Sequence, residues 1–154
     1  MYGDALVEFA DAARNDLGLL VSQASARLMG ELFGALASKG YPEVHLAHSA
    51  VFVGLDPEGT RISDLARRAN VSRQAMSILV RDLHRAGYVT VETDPTDQRA
   101  TVVTLDRRGA EFCRAAAVVS CELSARADRR LGQPDAATLR RTLTTLLEPD
   151  SGSG

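Results

Sequence analysis

Five side chains recur at helical spacing between residues 74 and 85: Gln74, Ser77, Ile78, Arg81 and Arg85. Their offsets place them on one face of a helix. An amide, a hydroxyl, an aliphatic group and two guanidiniums are the types that read a DNA major groove. Arg pairs with guanine, Gln with adenine, and an aliphatic group meets the thymine methyl. The outer face of any amphipathic helix can also be polar, and spacing alone does not separate the two. Ile78 favours the groove, because a solvated face has no use for an aliphatic side chain in its middle. Ser72 and Arg73 open the same helix and complete the candidate contact set with Arg99.

Arg99 is the only base between Arg85 and Arg107, and it stands among Asp94, Asp97 and Gln98. Acids beside it work against attraction to a phosphate backbone. They make sense if Asp94 or Asp97 holds Arg99 in a fixed pose for entry into a narrow minor groove. A surface salt bridge of little energetic consequence is the competing reading. Local charge supports a nucleic-acid partner despite a net charge of −2. From Arg61 to Gly87 six arginines face two aspartates, a local +4, which leaves −6 for the rest of the chain. Phosphate binding responds to the local value.

Other reactive side chains assemble less. His45 and His48 lie near Glu43 on a predicted helix, but two ligands on one helix do not make a metal site without a third. Cys113 and Cys121 fall on one helix about 12 Å apart by helical rise, too far for a mutual disulfide. They read as small buried hydrophobes, with redox sensing as an alternative. No Gly-rich phosphate loop, HExxH or nucleophile elbow is present, so neither an enzyme, a cofactor nor a metal is expected.

The elements that must position these residues follow from periodicity and breakers. Asp4 to about Ser38 reads as one long helical stretch with Leu17, Leu20, Val21, Leu28, Phe33 and Leu36 at helical spacing, ended by Gly40-Tyr41-Pro42. A second helix is predicted from Pro42 to Leu55, followed by a turn at Asp56-Pro57-Glu58-Gly59. Ser63 is the expected cap of a short helix that stops near Asn70. Ser72 caps the next, which Gly87 closes. Met76, Leu79, Val80 and Leu83 form the inward face of that helix. The period then shortens to two: Tyr88–Thr93 and Thr101–Leu105 read as strands around a polar tip from Asp94 to Arg99. Asp106 caps a long helix to Leu131, and a last helix runs from Pro134 to Leu147. Ser151-Gly152-Ser153-Gly154 is low-complexity.

Two short helices joined by a tight turn, then a hairpin, make a winged helix-turn-helix. The run Ile62-Ser63-Asp64-Leu65-Ala66 through Val71-Ser72, then Leu83 to Val89, and the wing Asp94-Pro95-Thr96-Asp97-Gln98-Arg99 to Leu105 and Gly109, resembles the MarR family of bacterial regulators. Asp106 stands where the family usually has Thr, and Asp caps a helix equally well. The resemblance implies a homodimer held by the terminal helices, two recognition helices reading a palindrome, and Arg99 as the minor-groove residue. It also implies an effector cleft between the dimerisation helices and the winged domain, for which Phe33, His48, Phe52 and Cys113 are the candidates and a small aromatic or phenolic compound the expected ligand. Dimerisation also follows from apolar content: the first helix and the last two are too apolar to remain exposed on so small a protein.

The expected fold class is mainly α with a small β-wing. Residues 1–40 are assigned to an N-terminal dimerisation helix, 41–108 to the DNA-binding domain, 109–148 to C-terminal dimerisation helices and 149–154 to a flexible tail. The expected function is a sequence-specific regulator of transcription, a repressor, partnered by double-stranded DNA. A winged helix used only for protein contacts and a thiol-based redox regulator are the alternatives. The first eight residues carry two acids and no base, unlike a signal peptide, and no apolar run reaches the roughly 18 residues that span a bilayer, so a cytoplasmic protein without membrane contact is expected.

Overall fold

The helix that carries the candidate reading face is built by local signals. Ser72 accepts a hydrogen bond from the Ala75 N–H at 3.1 Å, and α5 (Arg73–Arg85) runs from there to Gly87, whose φ of 79° only glycine adopts without strain. Asn70, at φ 52°, makes the left-handed turn between α5 and the preceding α4 (Ile62–Arg68). These positions agree with the expectation from sequence. The computed structural model describes residues 2–148. The expected tail at 149–154 lies outside the described residues.

Four expectations are corrected. The N-terminal stretch is two helices, α1 (Gly3–Ala13) and α2 (Leu17–Ser38). Asp16 caps α2 by accepting the Leu19 N–H at 2.8 Å, so the chain restarts its helix there. The helix expected over 42–55 is shorter: a 3-10 turn at Leu46–His48 leads into α3 (Ser49–Gly54). His48 Nδ1 accepts the His45 backbone N–H at 3.1 Å, which delays the start, and Glu43 is turned toward other partners. Ser63 is not the cap of α4. Thr60–Arg61 forms a short strand, β1, and the chain enters α4 from extended backbone at Arg61 with no side-chain cap. The second wing strand begins at Asp97 and not at Thr101, giving β2 (Val89–Asp94) and β3 (Asp97–Leu105).

The three strands form an antiparallel sheet in the order β1-β3-β2, with Thr60 opposite Val103 and Val91 opposite Val103 on its other side. Asp106 caps α6 (Arg107–Leu131), and Gly132 at φ 83° turns the chain into α7 (Gln133–Leu147). The core gathers Leu36 of α2, Val51 of α3, Leu65 of α4, Met76, Val80 and Leu83 of α5, Tyr88, Val103, and Phe112 of α6. Burial of each large side chain contributes about 1.5–3 kcal/mol, so the inward face of α5 anchors that helix to the core.

The wing is held by one buried carboxylate. Asp94 Oδ2 accepts Arg61 Nε at 2.7 Å and Nη2 at 2.6 Å, and Oδ1 accepts the Thr96 N–H at 2.7 Å and hydroxyl at 2.6 Å. The two Thr96 bonds, and then Arg61, draw its carboxyl down to about 2. A carboxyl lowered in the folded state contributes stability above its ordinary pKa, near 4, and loses it as pH falls through the folded value. Asp94→Asn should therefore lower the thermal midpoint by a constant amount above about pH 5. The gap to wild type should close between about pH 4 and pH 2. A gap that stays unchanged down to pH 2 in thermal melts would show that Asp94 does not act through its charge.

Candidate nucleic-acid interface

Packing of Met76, Val80 and Leu83 inward leaves Gln74, Ile78, Arg81 and Arg85 exposed on the opposite side, with Ser77 at its margin. Ile78 keeps 44% of its surface in solvent. Ser72 spends its hydroxyl on the helix cap, and Ser77 donates to the Arg73 carbonyl at 2.8 Å. Both hydroxyls retain acceptor capacity.

Ion pairing sorts the arginines of this region. Arg61 is held by Asp94, Arg67 by Asp64 at 2.7 Å, Arg68 by Asp56 at 2.8 Å, and Arg85 lies 3.8 Å from Asp82. Bonding to Arg68, in turn, lowers the Asp56 carboxyl. Among the described residues, Arg73, Arg81 and Arg99 form no ion pair, and all three were singled out from sequence. Arg73 and Arg99 also line one polar cleft of about 190 Å³ between the start of α5 and the wing, together with Arg61, Ser63 and Asp97. A cleft bearing free guanidiniums attracts an anion of phosphate size.

Arg99 is not posed as expected. Neither acid grips its guanidinium: Asp94 is committed to Arg61 and Thr96, and Asp97 accepts the Arg99 backbone N–H at 3.0 Å. Pairing passes from Thr93 opposite Thr101 directly to Asp94 opposite Asp97, so Gln98, Arg99 and Ala100 bulge from the ladder. The acids shape the backbone that projects Arg99 and leave its side chain free. Arg61, a residue the sequence marked only as one base among several, is the partner that fastens the wing to β1. No spacing rule joins positions 61 and 94; only the β1–β3–β2 sheet does.

A second, apolar cleft of about 230 Å³ brings together Phe33 of α2, Phe52 of α3 and Cys113 of α6, beside Phe112 and Leu36. Three of the four expected effector residues thus share a wall. His48 does not line it: its ring is buried and stacks on His45 at 5.7 Å between centroids. Burial first, and then the neighbouring His45, push the His48 pKa down. Burial pushes the Cys113 thiol up, away from thiolate chemistry, while Cys121 is exposed, contrary to its expected burial. Among the described residues no three His, Cys, Asp or Glu side chains gather as metal ligands, and no helix is long and apolar enough to cross a membrane.

Known proteins share this fold. A family model described as the MarR family matches residues 47–100, from the 3-10 turn through α5 to the wing. The HTH-type transcriptional repressor Rv2887 of Mycobacterium tuberculosis is 32% identical over 136 residues, covering 84% of this chain and 92% of the relative. Its structure in complex with p-aminosalicylic acid is similar at a TM-score of 0.64 and 28% identity, over 86% of this chain and 99% of that one. The transcriptional repressor CouR, bound to a 23-mer DNA duplex, shares the fold at a TM-score of 0.72 and 21% identity, over 88% of this chain and 94% of its own. With about a third of the aligned residues identical across nearly the whole of one relative, the chain belongs to the MarR family of winged helix-turn-helix, DNA-binding transcription regulators.

Proposed function

We propose that this regulator is a cytoplasmic repressor without enzymatic activity, which binds a pseudo-palindromic operator as a homodimer and is released by a small aromatic or phenolic effector. The observation that carries the reading is that, among the described residues, Arg73, Arg81 and Arg99 form no ion pair and lie around Ile78 and Gln74, where a duplex would sit. Residues 41–108 then form the DNA-binding unit, with α5 in the major groove and Arg99 in the flanking minor groove. Residues 1–40 and 109–148 form the dimer. Leu6 and Phe9 of α1, Leu17 and Leu20 of α2, and Leu146 and Leu147 of α7 are exposed in the single chain. An apolar cleft of about 230 Å³ between α2, α6 and α7 lies open beside them, lined by Leu28, Leu32, Leu131 and Leu139 among others. A surface of this kind is covered in a stable soluble protein by a second copy. The effector occupies the cleft of Phe33, Phe52 and Cys113, whose aromatic walls suit a flat ring such as the one the M. tuberculosis relative holds.

Selection from random DNA by the purified protein should return an inverted repeat with half-sites about 34–36 Å apart, and sedimentation should give two protomers per duplex. A single half-site occupied by one protomer would overturn the reading.

Within that operator, Gln74→Ala or Arg81→Ala should cost about 1–3 kcal/mol and relax the preference at one position of each half-site. Arg67→Ala, further from the base edges in this reading and paired with Asp64, should weaken all sequences about equally. Unchanged sequence profiles for both Gln74→Ala and Arg81→Ala would place the reading face elsewhere.

At the wing, Arg99→Ala should weaken binding most where A·T-rich bases flank the half-sites, because a narrow groove carries the deeper negative potential. Asp97→Ala should weaken binding too, by releasing the Arg99 backbone N–H, although it removes a negative charge facing DNA. Charge alone predicts the opposite sign. Titrations of Asp97→Ala against wild type at several salt concentrations separate the two, and tighter binding by the variant would reduce Asp97 to a repulsive surface charge.

A further inference from the structure

The recognition helix ends on Ala86 and Gly87, and the next residue, Tyr88, is wholly buried. Its hydroxyl donates to Glu43 Oε2 at 2.9 Å, in the segment that joins α2 to the 3-10 turn. Both Glu43 oxygens accept Arg108 Nη2, at 3.1 and 3.0 Å, from the first turn of α6. Arg108 also donates to the Gly40 carbonyl past the end of α2, at 3.3 Å, and to the Ala86 carbonyl at the end of α5, at 3.4 Å. Its guanidinium carbon stands 4.8 Å from the centre of the Tyr88 ring. One arginine therefore touches the ends of three helices: α2 and α6, assigned above to the dimer, and α5, assigned to the groove.

The backbone is equally close. The Tyr88 carbonyl accepts the Asp106 N–H at 3.0 Å, and it lies so near Gly109 that a Cβ there has no room. Burial first, and then Glu43, push the Tyr88 hydroxyl up to about 12, while Glu43's own backbone N–H, then Tyr88 and Arg108, hold its carboxyl below the usual range. Donor and acceptor keep these roles throughout the neutral range. Glu43 and Arg108 are each about 40% exposed, so their pair contributes little to global stability. Its geometry matters more than its energy.

We propose that Glu43, Tyr88 and Arg108 are positioning residues that set the angle of the recognition helix against the dimer helices, and thereby the half-site spacing the regulator accepts. The proposal rests on the dimeric reading above. Thirteen residues of α helix are about 20 Å long, so a tilt of about 10° at the Gly87 end moves the far end by about 3.5 Å, close to one base-pair step. Charge-assisted hydrogen bonds with a planar guanidinium restrain such a tilt directionally, as apolar packing alone does not.

The test uses the full chain and duplexes carrying the half-sites selected by the wild type, with the spacing changed by one or two base pairs either way. Wild type should lose about tenfold per base pair of misspacing, a coupling of about 1.4 kcal/mol. Arg108→Gln should flatten that to about threefold or less, while binding a single isolated half-site within about twofold of wild type. Glu43→Gln should move the profile in the same direction, and adding it to Arg108→Gln should change nothing further, since the residues act as one unit. Tyr88→Phe keeps the buried ring, removes only the hydroxyl bond, and carries the same test should the Arg108 variant fail to fold. A variant that loses affinity equally at every spacing has lost stability and not alignment, and that result overturns the proposal alone. A wild type with no spacing optimum overturns the dimeric reading together with it.

Discussion

The proposed recognition depends on α5 burying one face while leaving the other unused. Met76, Val80 and Leu83 pack against Leu65, Val51 and Tyr88, and that burial fixes the rotation of the helix about its axis. Rotation in turn decides which side chains meet a groove. A turn of roughly 100° per residue means that a register error of one position would swing Arg81 and Gln74 off the exposed face. The caps at Ser72 and Gly87 fix where the helix begins and ends, so the remaining freedom is its tilt, which the contacts around Tyr88 restrain.

Charge follows the same division of labour. The chain is acidic in sum, yet its acids are spent where arginines have structural work: Asp94 on Arg61, Asp56 on Arg68, Asp64 on Arg67. Only a multiply bonded pair with a buried carboxylate, such as Arg61–Asp94, is expected to matter for stability; the exposed pairs contribute about 0–1 kcal/mol. Their other effect is electrostatic. Pairing cancels charge on β1 and α4 and, among the described residues, leaves Arg73, Arg81 and Arg99 without an acid at the candidate reading face, a local positive charge that favours a polyanion despite the net negative charge.

The aromatic side chains connect the apolar cleft to this machinery. Phe52 and Phe112, both lining the cleft, have ring centres 4.7 Å apart, and Phe112 meets Tyr88 edge-on at 5.9 Å. Tyr41 completes the cluster against Phe112 at 5.6 Å. A ligand that displaces Phe52 or Phe112 acts on the Tyr88 ring, three residues past the end of α5, whose hydroxyl holds Glu43. The path is short and made of close-packed rings, which repack between discrete arrangements. A change of helix tilt is thus the physical output available to a molecule bound there.

Much of the site was legible because local rules govern it. Helical spacing separated Met76, Val80 and Leu83 from Gln74, Ile78 and Arg81. Cap chemistry located Ser72, Asn70, Gly87 and Asp106, since a left-handed backbone or an orphan N–H selects a few residue types. The same rules misplaced Ser63, because β1 pairs with a strand some forty residues later and carries extended backbone right up to Ile62. They also read α1 and α2 as one helix, where Asn15-Asp16 restarts the chain. What tertiary structure alone decided is which charge meets which. Asp94 was placed beside Arg99 by proximity in sequence and bonds Arg61 through the sheet; Glu43 was read near two histidines and serves Tyr88, just past α5, and Arg108 of α6. Periodicity orders neighbours along one element, whereas the partners of a carboxylate are chosen by whichever elements the core packs together.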